Sequence, residues 1–142
     1  MQTVRQLLDN KSVELIHIGP DATVFQALQL MAEHDIGAVL VMDMGDVLGI
    51  FSERDYARRI VLQGRTSAGT KVRDIMTSKV VYVSPEQSVA ECMALMTEKH
   101  FRHLPVMESG KVVGMLSIGD LVRATIEEQQ FVIEQLVNYI RA

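Results

Sequence analysis

Serine and aspartate occur three residues apart at two places in the chain, Ser52 with Asp55 and Ser117 with Asp120. An apolar segment that contains a glycine precedes each serine, which is typical of a strand that runs directly into a helix. A serine at such a junction caps the helix or bonds a ligand oxygen, beside backbone N–H groups that attract oxyanions. The aspartate can accept two hydrogen bonds from a ribose cis-diol. An ordinary capping box is the structural alternative.

The two pairs belong to an internal duplication. Asp55 and Asp120 are 65 residues apart (120 − 55 = 65), and this offset holds without a gap from Pro20 and Pro85 onward. The identical pairs at this offset include Val24/Val89, Leu30/Leu95, Met31/Met96, Glu33/Glu98, Val41/Val106, Met42/Met107, Ser52/Ser117, Asp55/Asp120 and Arg58/Arg123. A period of this length that occurs only twice favours a pair of α/β units over a solenoid, which needs shorter and more numerous copies.

Each repeat is predicted to fold as β-α-β-β-α, which gives an α/β (α+β) protein of two units related by pseudo-two-fold symmetry. Short helices over 4–8 and 72–76 open the units. The predicted strands are 15–18, 38–42 and 47–51 in the first unit and 80–83, 103–107 and 112–116 in the second. Gly45 and Gly110 supply the hairpin turns. The predicted domains are residues 1–63, a linker over 64–71, residues 72–125, and a C-terminal helix over 126–142.

The predicted C-terminal helix carries an apolar stripe at helical spacing. Its members are Val122, Ile126, Ile133, Leu136, Val137 and Ile140. Such a stripe must cover either the core of its own chain or that of a partner chain. We favour the second interpretation, a homodimer formed through helices.

Composition argues against several classes of protein. The 142 residues include 14 basic and 18 acidic side chains (14 − 18 = −4) and no block of like charge, so a nucleic-acid partner is not expected. No apolar stretch reaches the ~18–20 residues of a membrane span. Residues 1–6 have no secretory h-region, so no signal peptide is expected, and a single cysteine, Cys92, excludes an internal disulfide. We therefore expect a cytoplasmic protein.

Other candidate sites are weaker. His100 and His103 lie three residues apart, but no third ligand accompanies them, so no metal is expected. His103 could join Ser117 and Asp120 in a catalytic triad, yet nothing positions it as the base. No glycine-rich phosphate loop is present. Arg58 and Arg59 are better explained as a solvated helix face than as a phosphate clamp.

The repeats resemble a tandem pair of cystathionine-β-synthase (CBS) domains, the arrangement called a Bateman module. The family signature of turn glycine, apolar run with glycine, then Ser/Thr-x-x-Asp matches residues 45–55 and 110–120. The aromatic-x-His-x-Pro-Val strand matches residues 101–106, and the opening Val-x-x-Ile-Met-Thr matches residues 72–77. The resemblance covers roughly residues 4–125, and several motifs occur in order, twice.

The resemblance implies a non-catalytic regulatory sensor of an adenosine-containing ligand: AMP, ADP, ATP, S-adenosylmethionine or NAD. It implies two clefts, one with ribose on Ser117 and Asp120 and adenine near Ile16 and Ile36. The other cleft has ribose on Ser52 and Asp55. Its adenine would lie near Thr77, Val81 and Phe101. Phosphates in the family meet basic residues on the second strand and at the helix start, and the matching residues in this chain are Arg102, His103 and Arg54.

The repeats differ where the resemblance expects phosphate contacts. The first has Gly37 and Ala38 where the second has Arg102 and His103, and Gly119 stands at the position of Arg54. The two clefts are therefore expected to differ in phosphate affinity. Without an attached effector domain, the output would pass through an unidentified regulated protein or the tail helix. The alternatives are a structural or protein-interaction module with vestigial clefts, and an enzyme that turns over a nucleotide.

Overall fold

The computed structural model describes residues 2–10 and 15–141; Met1, residues 11–14 and Ala142, the last residue of the predicted C-terminal helix, lie outside this description. The chain forms two compact units. One comprises residues 16–80 and is called the first-repeat unit. The other combines the residues before 16 with those from 81 onward and is called the second-repeat unit.

The described elements alternate between helices and strands. In chain order they are α1 (Val4–Asn10), β1 (His17–Ile18), α2 (Val24–His34), β2 (Ala38–Asp43), β3 (Asp46–Ser52), α3 (Glu53–Asp55), a π-helix (Tyr56–Val61), a 3-10 helix (Val72–Asp74), α4 (Val89–Lys99), β4 (His103–Glu108), β5 (Lys111–Ser117) and α5 (Ile118–Arg141). The predicted fold class, mixed α/β with a C-terminal helix, is confirmed.

Each unit has its own sheet. In the first-repeat unit β1 pairs with β2 in parallel, and β2 pairs with β3 antiparallel. In the second-repeat unit β4 pairs antiparallel with β5. The strand predicted over 80–83 is reduced to one bridge between Val83 and Val106. The carbonyl of Pro105 accepts a hydrogen bond from the Val83 N–H at 3.0 Å, so the proline without an N–H contributes only its acceptor.

The two hairpins turn where the glycines predict. Met44 and Gly45 have φ of 51° and 85°, and Ser109 and Gly110 have φ of 53° and 78°. Two consecutive residues with positive φ are the mark of a type I′ turn, whose twist matches that of the flanking strands. The role of Gly45 and Gly110 as turn residues is thus confirmed.

The opening segment of each repeat packs in the unit of the other repeat. Val4 of α1 is fully buried in the core of the second-repeat unit, and its N–H donates to the Gln87 carbonyl at 2.9 Å. Val72 and Ile75 are buried in the core of the first-repeat unit, where the Val72 N–H donates to the Ala22 carbonyl at 2.9 Å. The boundaries of the sequence repeats therefore differ from the boundaries of the compact units.

The second-repeat unit ends in a single helix of 24 residues, α5. Its first turns are anchored by Asp120, Leu121 and Ala124, which are its buried residues. The sequence predicts that the chain continues as a helix after the second unit, over residues 126–142, and α5 runs without a break from the end of β5 to Arg141. Among the described residues, no helix is both long and apolar enough to cross a bilayer.

Candidate ligand-binding site

Ser52 and Asp55 form a capping box where β3 meets α3. Ser52 has an extended backbone, and its N–H donates to Asp55 Oδ2 at 2.9 Å. The Ser52 hydroxyl also donates to Asp55 Oδ2, at 3.1 Å, and accepts from the Asp55 N–H at 3.3 Å. The pair therefore has the structural role that the sequence left open as an alternative.

Ser117 and Asp120 repeat this geometry where β5 meets α5. The Ser117 N–H donates to Asp120 Oδ2 at 2.8 Å, and the Asp120 N–H donates to Ser117 Oγ at 3.2 Å. Arg123 Nη1 lies 3.6 Å from Asp120 Oδ1. Asp55 and Asp120 are only 8% and 9% exposed. In both capping boxes the serine N–H donates to Oδ2 of the aspartate, so each buried carboxylate is held through its Oδ2 atom.

Thr77 is brought to the carboxylate of Asp55. Its hydroxyl donates to Asp55 Oδ1 at 3.2 Å. Thr77 and Ile50 also exchange both backbone hydrogen bonds, each at 2.9 Å. The close approach depends on Gly49, because a Cβ there would lie 2.7 Å from the Thr77 carbonyl oxygen and 2.8 Å from Met76 Sδ. The glycine inside the repeated apolar segment therefore makes room for the chain that carries Thr77.

Arg59 has a role that the sequence interpretation missed. Its exposed side chain donates through Nη1 to the carbonyls of Ile75, at 2.9 Å, and Met76, at 3.1 Å. The guanidinium therefore binds the backbone directly before Thr77. The π-helix carries Arg59, and its i−5 bonding shows in the Leu62 N–H, which donates to the Ala57 carbonyl at 3.1 Å.

A signal for Arg59 was present in the repeat itself. The position 65 residues further on is Ala124, which is buried in α5, whereas the neighbouring Arg58 and Arg123 match. A basic residue that replaces a buried alanine between two repeats points to a contact specific to one repeat. The sequence predicts a solvated face for Arg58 and Arg59, and the structure adds a backbone contact for Arg59.

The remaining predicted site residues divide between the two units. Ile16 and Ile36 are half-buried against the core of the first-repeat unit, and Val81 and Phe101 are half-buried against the core of the second. Half-buried apolar side chains can pack on a core with one side and offer the other to a flat ring. Arg54, a half-buried residue of α3, joins Ser52, Asp55 and Thr77 in the first-repeat unit.

In the second-repeat unit, Arg102 and His103 lie at the end of the sheet that carries the second capping box. His103 is opposite Ser117 in the β4–β5 register, and the Arg102 carbonyl accepts from the Ile118 N–H at 2.8 Å. The Arg102 side chain is exposed and His103 is half-buried. Two basic side chains thus accompany Asp120 within this unit. Among the described residues, no group of three His, Cys, Asp or Glu side chains is arranged to hold a metal ion.

Two tandem copies of one domain account for these features. A family model described as "CBS domain" matches the chain at residues 4–62 and again at residues 72–127. The chain belongs to the CBS domain family. The resemblance stated from the sequence motifs is thereby confirmed.

Relatives of this CBS pair occur in plants and bacteria. The chain is 44% identical over 126 residues to the CBS domain-containing protein CBSX3, mitochondrial, of Arabidopsis thaliana, covering 85% of this chain and 61% of that protein. It is 31% identical over 113 residues to the CBS domain-containing protein YhcV of Bacillus subtilis, covering 80% of each. The chain therefore spans less than two thirds of the Arabidopsis relative.

Solved structures agree with the fold. A putative signal-transduction protein with CBS domains from Burkholderia ambifaria superposes with a TM-score of 0.87 at 51% identity, covering 90% of this chain and 96% of that one. CBS pairs are generally regulatory modules, and as a family they bind adenosine-containing ligands.

Proposed function

We propose that this CBS pair is a non-catalytic sensor of an adenosine-containing ligand: AMP, ADP, ATP, NAD or S-adenosylmethionine. Binding would shift the population of its conformations, or change its contacts with a second copy and a regulated partner protein. The setting we propose is the cytoplasm, since the chain has one cysteine and that cysteine is buried.

The observation that carries the proposal is the way in which the two aspartates are held. Each buried carboxylate is oriented by hydrogen bonds to Oδ2 from the serine three residues earlier. A carboxylate fixed through one oxygen keeps a defined direction for the other, and a ribose cis-diol needs a carboxylate in a defined direction. At Asp55 the Thr77 hydroxyl marks where a ligand hydroxyl would compete for, or share, Oδ1.

The basic residues support a difference between the two sites. Arg54 belongs to the capping box of the first repeat, and Gly119 takes its place in the second. Arg102 and His103 belong to the second-repeat unit, and their counterparts are Gly37 and Ala38. We propose that these three basic side chains contact phosphates, so that the two sites differ in their affinity for phosphorylated ligands.

Calorimetric titration of AMP, ADP, ATP, NAD and S-adenosylmethionine tests the proposal. The proteins are the wild type, Asp55→Asn and Asp120→Asn, since asparagine retains an acceptor for the serine N–H but loses the charge. Hydrogen bonds to a charged group contribute about 1.5–3 kcal/mol each, so losing the carboxylate from a working site should weaken binding at least about tenfold. Asp46→Asn, in an exposed hairpin turn, is the charge-matched control and should bind as the wild type does.

Thermal unfolding separates loss of binding from loss of folding. A ligand at 100 times its dissociation constant should add about 2.7 kcal/mol to the free energy of unfolding of the wild type. Flat titrations and unchanged unfolding with all five ligands would refute the sensor and support the alternative, an interaction module in which the capping boxes are only structural. Conversion of a ligand to product on chromatography would refute the non-catalytic part.

A further inference from the structure

The outer half of α5 lacks the packing that normally keeps a helix folded. From residue 126 to residue 141 every side chain is exposed, whereas the buried residues of α5 all precede that point. An isolated helix of this length is only marginally stable in water. Its exposed apolar residues include Ile126 at 49%, Ile133 at 58%, Leu136 at 57% and Ile140 at 79%.

Six residues on one side of α5, all apolar except Gln129, follow the heptad spacing of a coiled coil. Residues 122, 126, 129, 133, 136 and 140 are separated by alternating steps of four and three. In heptad terms, the a positions are Ile126, Ile133 and Ile140, and the d positions are Val122, Gln129 and Leu136. Val132 and Tyr139 at g and Val137 at e widen this face. An average spacing of 3.5 residues keeps the a and d residues, here called the seam, in contact with a second helix along its length.

The seam is distinct from the side of α5 that packs on its own unit. Leu121 and Ala124 are buried at c and f positions, and Phe131, also at f, borders a depression lined by Gln2 and Gln6 at the α1 side. Val122 remains 40% exposed although it follows the buried Leu121 directly. The anchored part of the helix therefore already leaves the heptad face open.

We propose that this face binds the same face of a second copy of the chain, with the two α5 helices parallel. The exposed area of its apolar side chains amounts to roughly 800 Å² per chain, which is what each partner contributes to a standard specific interface. Isoleucine at every a position, with leucine at one of the three d positions, fits a pair of parallel helices.

Gln129 selects the parallel orientation. In a parallel pair it faces Gln129 of the second copy, and the two amides satisfy each other's donors and acceptors. In the antiparallel register that keeps all six layers, Gln129 faces Ile133 of the second copy, so a buried amide lies against an apolar side chain. Parallel pairing also sets Val132 at g against Val137 at e of the second copy.

The charge of the helix argues against a lipid surface as the occupant. Three acidic residues, Glu127, Glu128 and Glu134, lie on the polar side of this half of the helix, together with a single basic residue near its end, Arg141. Helices that lie on membranes usually carry a basic polar face. This inference does not rest on the proposed ligand, and its test needs none.

Sedimentation of the full chain over a range of concentrations tests the pairing. We expect the wild type to self-associate and Ile133→Glu to raise the dissociation constant at least tenfold, because a carboxylate would enter the a layer. Gln135→Glu adds the same charge at an exposed c position and should leave the dissociation constant unchanged. A monomeric wild type, or equal association of Ile133→Glu and wild type, overturns the proposal.

Cross-linking tests the orientation. A short bis-maleimide should join Leu136→Cys chains, because d positions face each other in a parallel pair, and should not join Asn138→Cys chains, since f positions point outward. In the antiparallel register the two 136 positions would be about 15 Å apart along the axis. Native Cys92 is buried and should give no background. Absence of cross-linking at position 136 in an associating protein would overturn the parallel arrangement.

Discussion

Burial determines the orientation and the acidity of individual side chains in this protein. Asp55 and Asp120 are buried acidic residues whose hydrogen bonds come from their own capping boxes, so burial orients the carboxylates as well as hiding them. Cys92 is buried on the inner face of α4. Removal from water raises the pKa of its thiol to about 11, and the negative charge of Glu91 adds to the effect.

The raised pKa predicts slow thiol chemistry in the folded chain. Because the thiolate is the reactive form, labelling with a disulfide reagent at pH 8 should be at least about 100-fold slower for native than for urea-unfolded protein. The raised pKa also makes stability depend on pH. The contribution of the buried, protonated thiol to the free energy of unfolding is fully present below the unfolded pKa of Cys92 and is lost as the pH rises through the folded pKa. Equal labelling rates for native and unfolded protein would contradict the burial of Cys92.

At the scale of elements, β3 accepts a neighbouring segment that only a glycine admits. Gly49 lies where the backbone of residues 76 and 77 crosses β3, and Ile50 bonds Thr77 in both directions. Arg59 holds the same segment from the π-helix. Two elements thus cooperate to place Thr77 beside Asp55.

Gly49→Ala tests this packing. Its Cβ would lie 2.7 Å from the Thr77 carbonyl oxygen, so the segment must move, at a cost of about 1–3 kcal/mol in the free energy of unfolding, measured by urea titration. Gly19→Ala is the matched control, because nothing lies within 4 Å of a Cβ at that position. The control should stay within about 0.5 kcal/mol of the wild type. Equal effects of the two substitutions would show that the close approach is not what Gly49 provides.

At the scale of the whole molecule, residues distant in sequence close each unit. Arg5 of α1 forms ion pairs with Glu86, at 2.7 Å, and with Glu108, so that the start of the chain is joined to the second repeat within one unit. The hydrogen bond from Arg5 lowers the pKa of the Glu86 carboxyl. Ion pairs this exposed are weak individually, and Val4 supplies the buried contact beside them.

The lowered pKa of Glu86 predicts an acid-dependent contribution of Arg5. This contribution is present above the unfolded pKa of the glutamate, near 4.5, and is lost as the pH falls through the lowered folded value. The melting temperature of Arg5→Met should therefore be below that of the wild type at pH 7 and should approach it at pH 3. Comparing the effect of Arg5→Met in the wild type with its effect in a Glu86→Gln background isolates the contribution of the pair between Arg5 and Glu86. A difference independent of pH would assign the effect of Arg5 to packing.

The repeat, the turns, the strands that form hairpins, the capping boxes and the long terminal helix were all predictable from the sequence. The turns, hairpin strands and capping boxes depend on residues close together in the chain, such as Met44 with Gly45 or Ser52 with Asp55, and the 65-residue offset shows each of these three features twice. The two Ser and Asp pairs came from residue type and spacing, the other candidate ligand residues came from the family resemblance, and the binding roles of all of them remain predictions.

Only the tertiary structure decided which opening segment packs on which repeat. The short apolar patterns around Val4 and Val72 fit either core equally well, because burial is non-directional and periodicity does not name a partner. Thr77 beside Asp55 and the Arg59 contact follow from that choice, because both involve the segment that begins at Val72. Local pattern determines the elements of this protein; the path of the chain between them determines which side chains meet.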